Sequence, residues 1–433
     1  MSKTLENKIR GKKAIVAVLG LGYVGLPLAV SFAKVGFKVY GLDMDVDRVQ
    51  RVQTKKNYIA DITAKDLTKV VNSGHLVAST DFSLLKFADV IMICVPTPLR
   101  RKYTPDVSFI VNAVKLIDQY IKKDTLVILE STTYPGTTRE LVKPVLEKSG
   151  MTVGKELYLS FSPERIDPGN KKYDVTRIPK IVGGIDQKSG QLSKVFYEMI
   201  IKEVHLVSSA DAAEMTKLLE NSFRIVNIGW INELAMMCHK LNIDIWEVIA
   251  AAKTKPFGFM PFYPGLGVGG HCIPDDPLYL HWKARKYGFN SKYIRLSADT
   301  NSSMPAYAIG RMKELLEQQK KTLIGSNILI IGVTYKKDVK DLRKSPPLRL
   351  IELLQAKGAK VEYYDPIIPY LKIGTIDLAS IVLTGKNVSA FDCVVMATDH
   401  SQVNYQLILK SAKMIFDTRN VYGALNHKKI VKL

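Results

Sequence analysis

Apolar residues fall along this chain in short, nearly unbroken runs separated by helical-period segments, the pattern of buried parallel strands alternating with helices. Lys13 to Leu19 (KAIVAVL) predicts a strand, a helix follows through about Val35, and Lys38 to Leu42 predicts a second strand ending at Asp43. Ala88 to Val95, Thr125 to Glu130 and Leu157 to Phe161 continue the series. From Ala210 to about Asn242 the pattern turns helical with few breakers, and Ile245 to Ala252 predicts another helix. After about Thr300 the α/β alternation returns. Strands are expected at Asn327 to Gly332, Lys360 to Asp365 and Asp392 to Thr398, a helix at Pro347 to Lys357, and a last strand ending at Asp417. The fold class is α/β: two doubly wound sheets joined by a central helical segment with a long helix. The expected boundaries are 1–205, 206–305 and 306–433.

With 433 residues, 47% hydrophobic and 24% charged, the chain is sized for two or three domains and is not disordered. A net charge of +21 attracts anions in general. Lys and Arg are nevertheless spread out, with short clusters such as Arg100 to Lys102, so the charge reads as a solvated surface rather than a nucleic-acid interface. The apolar stretch Ala14 to Ala33 behind Lys12 and Lys13 is about long enough to span a bilayer. Gly20, Gly22, Gly25 and Pro27 argue instead for strand, turn and helix, and a soluble, cytoplasmic protein without membrane partners is expected.

The turn after the first strand, Gly20-Leu21-Gly22-Tyr23-Val24-Gly25, is a dinucleotide fingerprint in its required context. The first glycine permits the turn, the second lets a pyrophosphate approach, and the third allows helix and strand to pack closely. Asp43, about 20 residues on, suits ribose hydroxyls and disfavours a 2′-phosphate, which favours NAD over NADP. Thr97 and Thr132 follow the ends of later strands, where they read as cofactor contacts or as helix caps. The second α/β half lacks the fingerprint. Its cationic stretches, Tyr335 to Asp338 with Arg343 and then Asp417 to Asn420, suit an anionic ligand such as a diphosphate.

The four cysteines, Cys94, Cys238, Cys272 and Cys393, form neither a disulfide framework nor a metal spacing, and no metal is expected. Cys94 and Cys393 sit in apolar runs and Cys238 on a helical pattern, all suited to packing. Cys272 alone has loop chemistry around it, in FYPGLGVGGHCIPDDP. Glycines there let backbone press on a ligand, and a carboxylate four residues on can orient water or take a proton. A buried structural cysteine is the alternative. Lys217 and Asn221 share a helix face, which for such residues is more often solvent-exposed. Glu164 reads equally as a surface partner of Arg165 or a neighbour and as a catalytic group.

In order, GLGYVG, VPTP, STTYPGTT, SPERIDPG, EMTKLLENSFR, GVGGHCIPDDP and YKKDVKDLR span nearly the whole chain and resemble the nucleotide-sugar 6-dehydrogenases, which oxidise UDP-glucose and UDP-N-acetylhexosamines. The resemblance implies an N-terminal NAD-binding domain, a central segment forming a homodimer or higher homo-oligomer, and a C-terminal domain holding UDP. It implies a four-electron oxidation of the sugar C6 alcohol by two NAD, through a thiohemiacetal and a thioester on Cys272, for surface polysaccharide synthesis. Lys217 would stabilise the oxyanion with Asn221 beside it. Asp276 would move protons and activate water, and Glu164 and Thr132 would place water and substrate. Gly20, Leu21, Gly22, Tyr23, Val24, Gly25, Asp43, Arg48, Thr97, Thr132 and Arg343 would belong to the NAD site. Arg165, Phe262, Tyr263, Gly267, Gly270, Lys336 and Arg419, with Glu164, Lys217 and Asn221, would hold the UDP-sugar.

SPERIDPG and GGHC depart from the NPE and GGSC patterns of the UDP-glucose branch and resemble the bacterial enzymes acting on UDP-N-acetylhexosamines, which implies a role for Arg165 and His271 near the acetamido group. SPERIDPGN points to the UDP-N-acetylglucosamine branch, with the galacto and manno epimers and UDP-glucose as alternatives. Asp275 departs from the family's usual valine, which leaves its division of labour with Asp276 open. Three other readings compete: a two-electron hydroxyacid dehydrogenase with no need of Cys272, a non-catalytic NAD-binding module, and a basic nucleic-acid binder.

Overall fold

The computed structural model describes residues 3–59, 61–100, 104–166 and 176–433. The chain divides into two compact units. One runs to Glu220 and includes Trp282–Tyr287; the other comprises Asn221–His281 and Gly288–Leu433.

The first unit is built on eight strands: β1 (Ile15–Leu19), β2 (Lys38–Leu42), β3 (Leu76–Ser79), β4 (Val90–Ile93), β5 (Thr125–Leu129), β6 (Leu157–Phe161), β7 (Lys180–Gly184) and β8 (Val204–Val207). They are ordered β3-β2-β1-β4-β5-β6-β7-β8, parallel except for the β6–β7 pair. The order reverses between β1 and β4, so the loops leaving those strands diverge into a crevice, where ligands bind in doubly wound sheets. Alternate residues of one strand feed opposite layers. Val16 and Val18 join the core under the Gly25–Lys34 and Gln187–Glu198 helices, and Ala17 and Leu19 join the core under Ser108–Tyr120. Phe32 of the first helix stacks on Phe196, with centroids 4.1 Å apart.

The second unit carries β9 (Asn327–Ile331), β10 (Lys360–Tyr364), β11 (Tyr370–Ile373), β12 (Ile376–Ala379), β13 (Cys393–Met396), β14 (Ile415–Asp417) and β15 (Ile430–Lys432). Five form a parallel sheet ordered β10-β9-β13-β14-β15, and β11 and β12 pair as a hairpin. The strand ending at Asp417 is therefore not the last. The Ile430–Lys432 segment is only three residues long and half-buried, so it lacks the apolar run that marks the others. Ahead of the sheet lie the Ile245–Ala252 helix, which packs Ile245, Trp246 and Ile249 on Ile231, Ala235 and Cys238, and the Lys292–Gln318 helix, which keeps Pro305 inside it. The long helix is Ala210–Lys240.

Among the described residues no helix is long and apolar enough to cross a membrane. The apolar Ala14 to Ala33 stretch is β1, the glycine turn and the Gly25–Lys34 helix. Phe196 is fully buried, so Phe196→Ala removes a stacked ring from a closed core. It is expected to cost the first unit about 3–5 kcal/mol, read as an earlier urea transition.

Candidate active site

In the first unit the glycine turn is sterically closed on one side and open on the other. A Cβ on Gly25 would lie 1.8 Å from the Gly20 carbonyl oxygen, whereas one on Gly22 would meet nothing within 4 Å. The helix that starts at Gly25 has Val24 as N-cap, with no side-chain cap bond, which suits an incoming phosphate. Asp43 is buried and accepts from Leu21 N at 2.7 Å and Asp45 N at 2.9 Å. Arg48 lies 3.4 Å from the same carboxylate. Tyr23 is half-exposed and Thr97 buried behind β4. The turn fits a dinucleotide.

Thr132 lies in the turn after β5, half-buried. The turn is held from below by Glu214, whose carboxylate accepts from Gly136 N (2.5 Å), Thr138 N (2.8 Å) and Thr138 Oγ1 (2.7 Å). Burial raises the Glu214 pKa to about 7. The sequence signal was slight, an acidic side chain near the start of a helix.

Glu164 does not pair with the Arg165 side chain. Its Oε1 accepts from Arg165 N (2.6 Å) and Ile166 N (2.8 Å), and its Oε2 lies 3.5 Å from Lys180 Nζ. Arg165 instead reaches Glu220 at 2.6 Å and the Pro179 carbonyl at 2.7 Å. Of the partners open to it, Glu164 takes not the Arg165 side chain but the buried Lys180. Lys180 also lies 2.9 Å from buried Glu130, which accepts from Tyr197. Burial works against the Lys180 ammonium, but Glu130 and Glu164 outweigh it and hold its pKa above the ordinary lysine value. Asp167, Pro168, Gly169 and Asn170 of the SPERIDPGN motif, and Arg101 and Lys102, lie outside the described residues.

Lys217 and Asn221, which the resemblance assigns to the chemistry although such residues on a helix face are more often solvent-exposed, are both buried, at 8% and 6% exposure. Asn221 Nδ2 donates to Asp276 Oδ2 at 2.6 Å.

In the second unit Cys272 is exposed, and its carbonyl accepts from Asp275 N (3.1 Å) and Asp276 N (2.8 Å). The acidic pair is thus a helical entry rather than free loop, since Asp276 opens the Asp276–Lys286 helix. Both carboxylates are buried and they part company: Asp275 pairs with Lys344, and Asp276 with Asn221. His271 Nδ1 lies 3.8 Å from Cys272 Sγ. Burial, and then Arg343, push the His271 pKa down, which favours the uncharged ring near neutral pH.

The glycine loop leading to Cys272 packs on the C-terminal sheet's loops. A Cβ on Gly269 would lie 2.5 Å from Tyr335 Cβ and 2.8 Å from the Lys344 carbonyl. Gly270 N donates to the Arg343 carbonyl at 2.9 Å, while the Arg343 guanidinium grips Asp341. At its other end the loop is tied by Gly265 N to Asn232 Oδ1 (2.9 Å), with Asn232 Nδ2 donating to Asn301 Oδ1 (2.8 Å). Gly267 lies between. Arg419, half-buried, donates from Nε to the Ala397 carbonyl at 2.8 Å. Lys336 is half-buried in the turn after β9. Phe262 meets Phe223 edge-on, and Tyr263 stacks on Trp246.

A dinucleotide turn on one sheet and a thiol beside a second, fingerprint-free sheet define the class, an NAD-dependent oxidoreductase with a cysteine loop. Residues 14–201 match the NAD binding domain of the UDP-glucose/GDP-mannose dehydrogenase family, residues 211–303 its central domain, and residues 329–424 its UDP binding domain. The chain belongs to that family; it is an enzyme acting on a nucleotide-sugar, with NAD as its cofactor. The UDP-N-acetyl-D-mannosamine dehydrogenase of Pyrococcus horikoshii is 35% identical over 413 residues, 94% of this chain and 95% of that protein. The solved structure of the UDP-D-ManNAc dehydrogenase from Pyrococcus horikoshii has a TM-score of 0.87 at 33% identity, covering 96% of this chain and 98% of that one. The UDP-N-acetyl-D-glucosamine 6-dehydrogenase of Pseudomonas aeruginosa is 33% identical over 412 residues, 93% of this chain and 96% of that protein.

These likenesses correct the expected branch. The chain is nearer an archaeal UDP-N-acetyl-D-mannosamine dehydrogenase than the bacterial UDP-N-acetylglucosamine enzyme. The SPERIDPGN motif misled because a short loop motif carries little information about the configuration of a single sugar carbon.

Glu214 predicts a pH dependence. Its folded pKa of about 7 lies above the ordinary glutamate value of 4.5, so the folded state holds the proton more tightly. Its contribution to stability is full below about pH 4.5 and is lost as pH rises through about 7, by an amount of the order of 1–3 kcal/mol. Compared with Glu214→Gln in urea titrations, the wild type should lose relative stability between pH 5 and 7 and then level off. A difference constant with pH contradicts the assignment.

Proposed function

We propose that the chain oxidises the C6 hydroxyl of UDP-N-acetylmannosamine to the uronic acid in four electrons, through a thiohemiacetal and a thioester on Cys272. The observation that carries the chemistry is an exposed thiol followed four residues on by Asp276, a buried carboxylate held by Asn221. The choice of sugar is supported by the likeness to the UDP-N-acetyl-D-mannosamine dehydrogenase of Pyrococcus horikoshii over nearly the whole length of that protein.

When bound, NAD supplies a hydride acceptor for each of the two oxidations. Gly20 to Gly25 would hold its pyrophosphate, Asp43 its ribose hydroxyls, and Arg48, Thr97 and Thr132 would complete the first unit's share of the binding. C6 loses a hydride and its hydroxyl a proton, giving the aldehyde, and Lys217 stabilises negative charge on the C6 oxygen. The Cys272 sulfur adds to the aldehyde carbon as the carbonyl π bond breaks, and the thiol proton passes by way of His271 to the oxygen, giving the hydroxyl of the thiohemiacetal. Loss of the second hydride and of the hydroxyl proton leaves the thioester. Asp276 then takes a proton from water as the water oxygen adds to the thioester carbon, the C–S bond breaks with that proton passing to sulfur, and the carboxyl proton is lost to solvent, releasing the carboxylate and the Cys272 thiol. A sulfur adduct keeps a transferable hydride on C6, which a free aldehyde lacks. Thr132 and Glu164 position the water and substrate, and Asn221 keeps Asp276 oriented. Lys336 and Arg419 neutralise the diphosphate, with Arg165 and the Phe262 to Gly270 loop against the rest of the UDP-sugar.

NADH formed per UDP-sugar consumed, measured with the gluco, N-acetylgluco, N-acetylgalacto and N-acetylmanno substrates, checks this reading. Two NADH with the N-acetylmanno sugar preferred are expected, and Cys272→Ser should not complete the second oxidation. One NADH from the wild type points to a two-electron dehydrogenase, and preference for another epimer overturns the sugar assignment.

The same reading includes a homodimer formed through the central helical segment. Support comes from Phe223, Trp230 and Met237, exposed apolar side chains seven residues apart along Ala210–Lys240, the repeat by which helices pair. Trp230→Glu is expected to shift the mass in light scattering from dimer towards monomer. An unchanged mass, or a monomeric wild type, contradicts it.

A further inference from the structure

We infer that His400 is a positioning residue for the UDP-sugar, its Nδ1 holding the Asp338 N–H and with it the turn after β9 that carries Lys336. The inference rests on the reading of Lys336 as a contact to the substrate diphosphate. His400 follows β13 and is fully buried. Its Nδ1 accepts from the backbone N–H of Asp338 at 3.0 Å. A nitrogen that accepts carries no hydrogen, so the proton of the neutral ring is on Nε2, which lies 3.1 Å from Asp365 Oδ2 and 3.1 Å from Thr334 Oγ1. The imidazole thus joins the end of β10 to the turn after β9.

The turn is tied at three further points. Thr334 Oγ1 donates to the Lys336 carbonyl at 2.9 Å, Thr398 Oγ1 donates to the Thr334 carbonyl at 2.6 Å, and Ser401 donates to the Asp338 carboxylate from its N (2.8 Å) and Oγ (2.6 Å). Asp338 has φ +57°, a left-handed conformation that a non-glycine residue keeps only where its surroundings hold it. The His400 bond lies on that residue's N–H, two positions from Lys336.

The same ring also explains what the second sheet does not read. Asp43 and Asp365 are equivalent: each follows the second strand of its sheet and accepts from the N–H of a residue just beyond the first strand, Leu21 or Val333. Asp365 accepts in addition from Ile367 N, Ile368 N and His400 Nε2. Four donors saturate its two oxygens, leaving none for a ribose.

The geometry separates two conservative variants. In His400→Asn the amide oxygen stands where Nδ1 stands and can accept from Asp338 N–H; in His400→Gln the amide reaches the Nε2 position and cannot. The expectation for Gln is about tenfold faster hydrogen exchange in the segment containing Asp338 and a KM for the UDP-sugar raised about tenfold, the effect of one lost hydrogen bond. Its kcat should stay within about twofold and its KM for NAD unchanged, while Asn stays within about threefold of wild type throughout. Equal effects of Asn and Gln, or loss of thermal stability without a selective change in the UDP-sugar KM, overturn the inference. If the Gln variant does not fold, Thr334→Val, which removes the tie to the Lys336 carbonyl, carries the same expectation and the same refutation. Lys336→Ala is assayed alongside. An unchanged UDP-sugar KM there overturns the substrate reading of Lys336 and the inference with it. A raised KM with His400→Gln unaffected overturns the inference alone.

Discussion

A backbone N–H that leaves a strand for a loop must find an acceptor, and in this chain the loops around the proposed chemistry find buried side-chain oxygens. Asp43 takes the N–H of Leu21 in the glycine turn, and Glu214 takes those of Gly136 and Thr138 beyond Thr132. Asn232 takes that of Gly265 at the start of the cysteine loop, and Asp365 that of Val333 after β9. Each bond is modest alone. Removing the acceptor, however, strands a buried donor at about 1–3 kcal/mol, so the shape of each loop is bound to one distant side chain. Rigid loops on a rigid sheet are what a reaction with two successive hydride transfers requires, because the reacting carbon has to meet the same geometry twice.

The two sheets use one architecture for different ligands. In the first, Asp43 accepts from two backbone N–H groups with Arg48 beside it, and the glycine turn leaves an open cradle at Gly22. In the second, Asp365 is saturated and the glycine fingerprint is missing, while Lys336 and Arg419 follow strand ends. On the proposed reading, recognition there is cationic. The formal charge of +21 does not by itself select the ligand, since most of it is spread over the surface. On the proposed reading the selective part is the few cations held by their neighbours, such as Arg419 against the Ala397 carbonyl.

The sequence was most legible where chemistry is local. The β1–turn–helix–β2 unit with Asp43 could be read from spacing, since each glycine is required within a few residues of its motif. The central strands could be read as well, because strands buried on both faces are continuous apolar runs. Illegible were the contacts made across long separations. Lys180 draws Glu164 inward from 16 residues away, Asn221 meets Asp276 across 55, and Asp338 meets His400 across 62. Nothing in the local pattern of a lysine or histidine marks it as buried. Pro305 inside the Lys292–Gln318 helix masked that helix for a related reason, since packing against the C-terminal core by Met304, Ala308 and Met312 overrides a local breaker. Sugar configuration was misjudged because it depends on the pocket's shape, not on a motif.

The central claim is that the sugar becomes covalently attached to Cys272 during turnover. Its most direct test is rapid acid quench of Asp276→Asn with UDP-N-acetylmannosamine and NAD, followed by peptide mass spectrometry. The account predicts that the peptide containing Cys272 accumulates the mass of the uronyl thioester, that hydroxylamine releases it, and that Cys272→Ser in the same background carries none. Turnover of wild type to the uronic acid with no adduct on that peptide at any quench time, in wild type or variant, would contradict it.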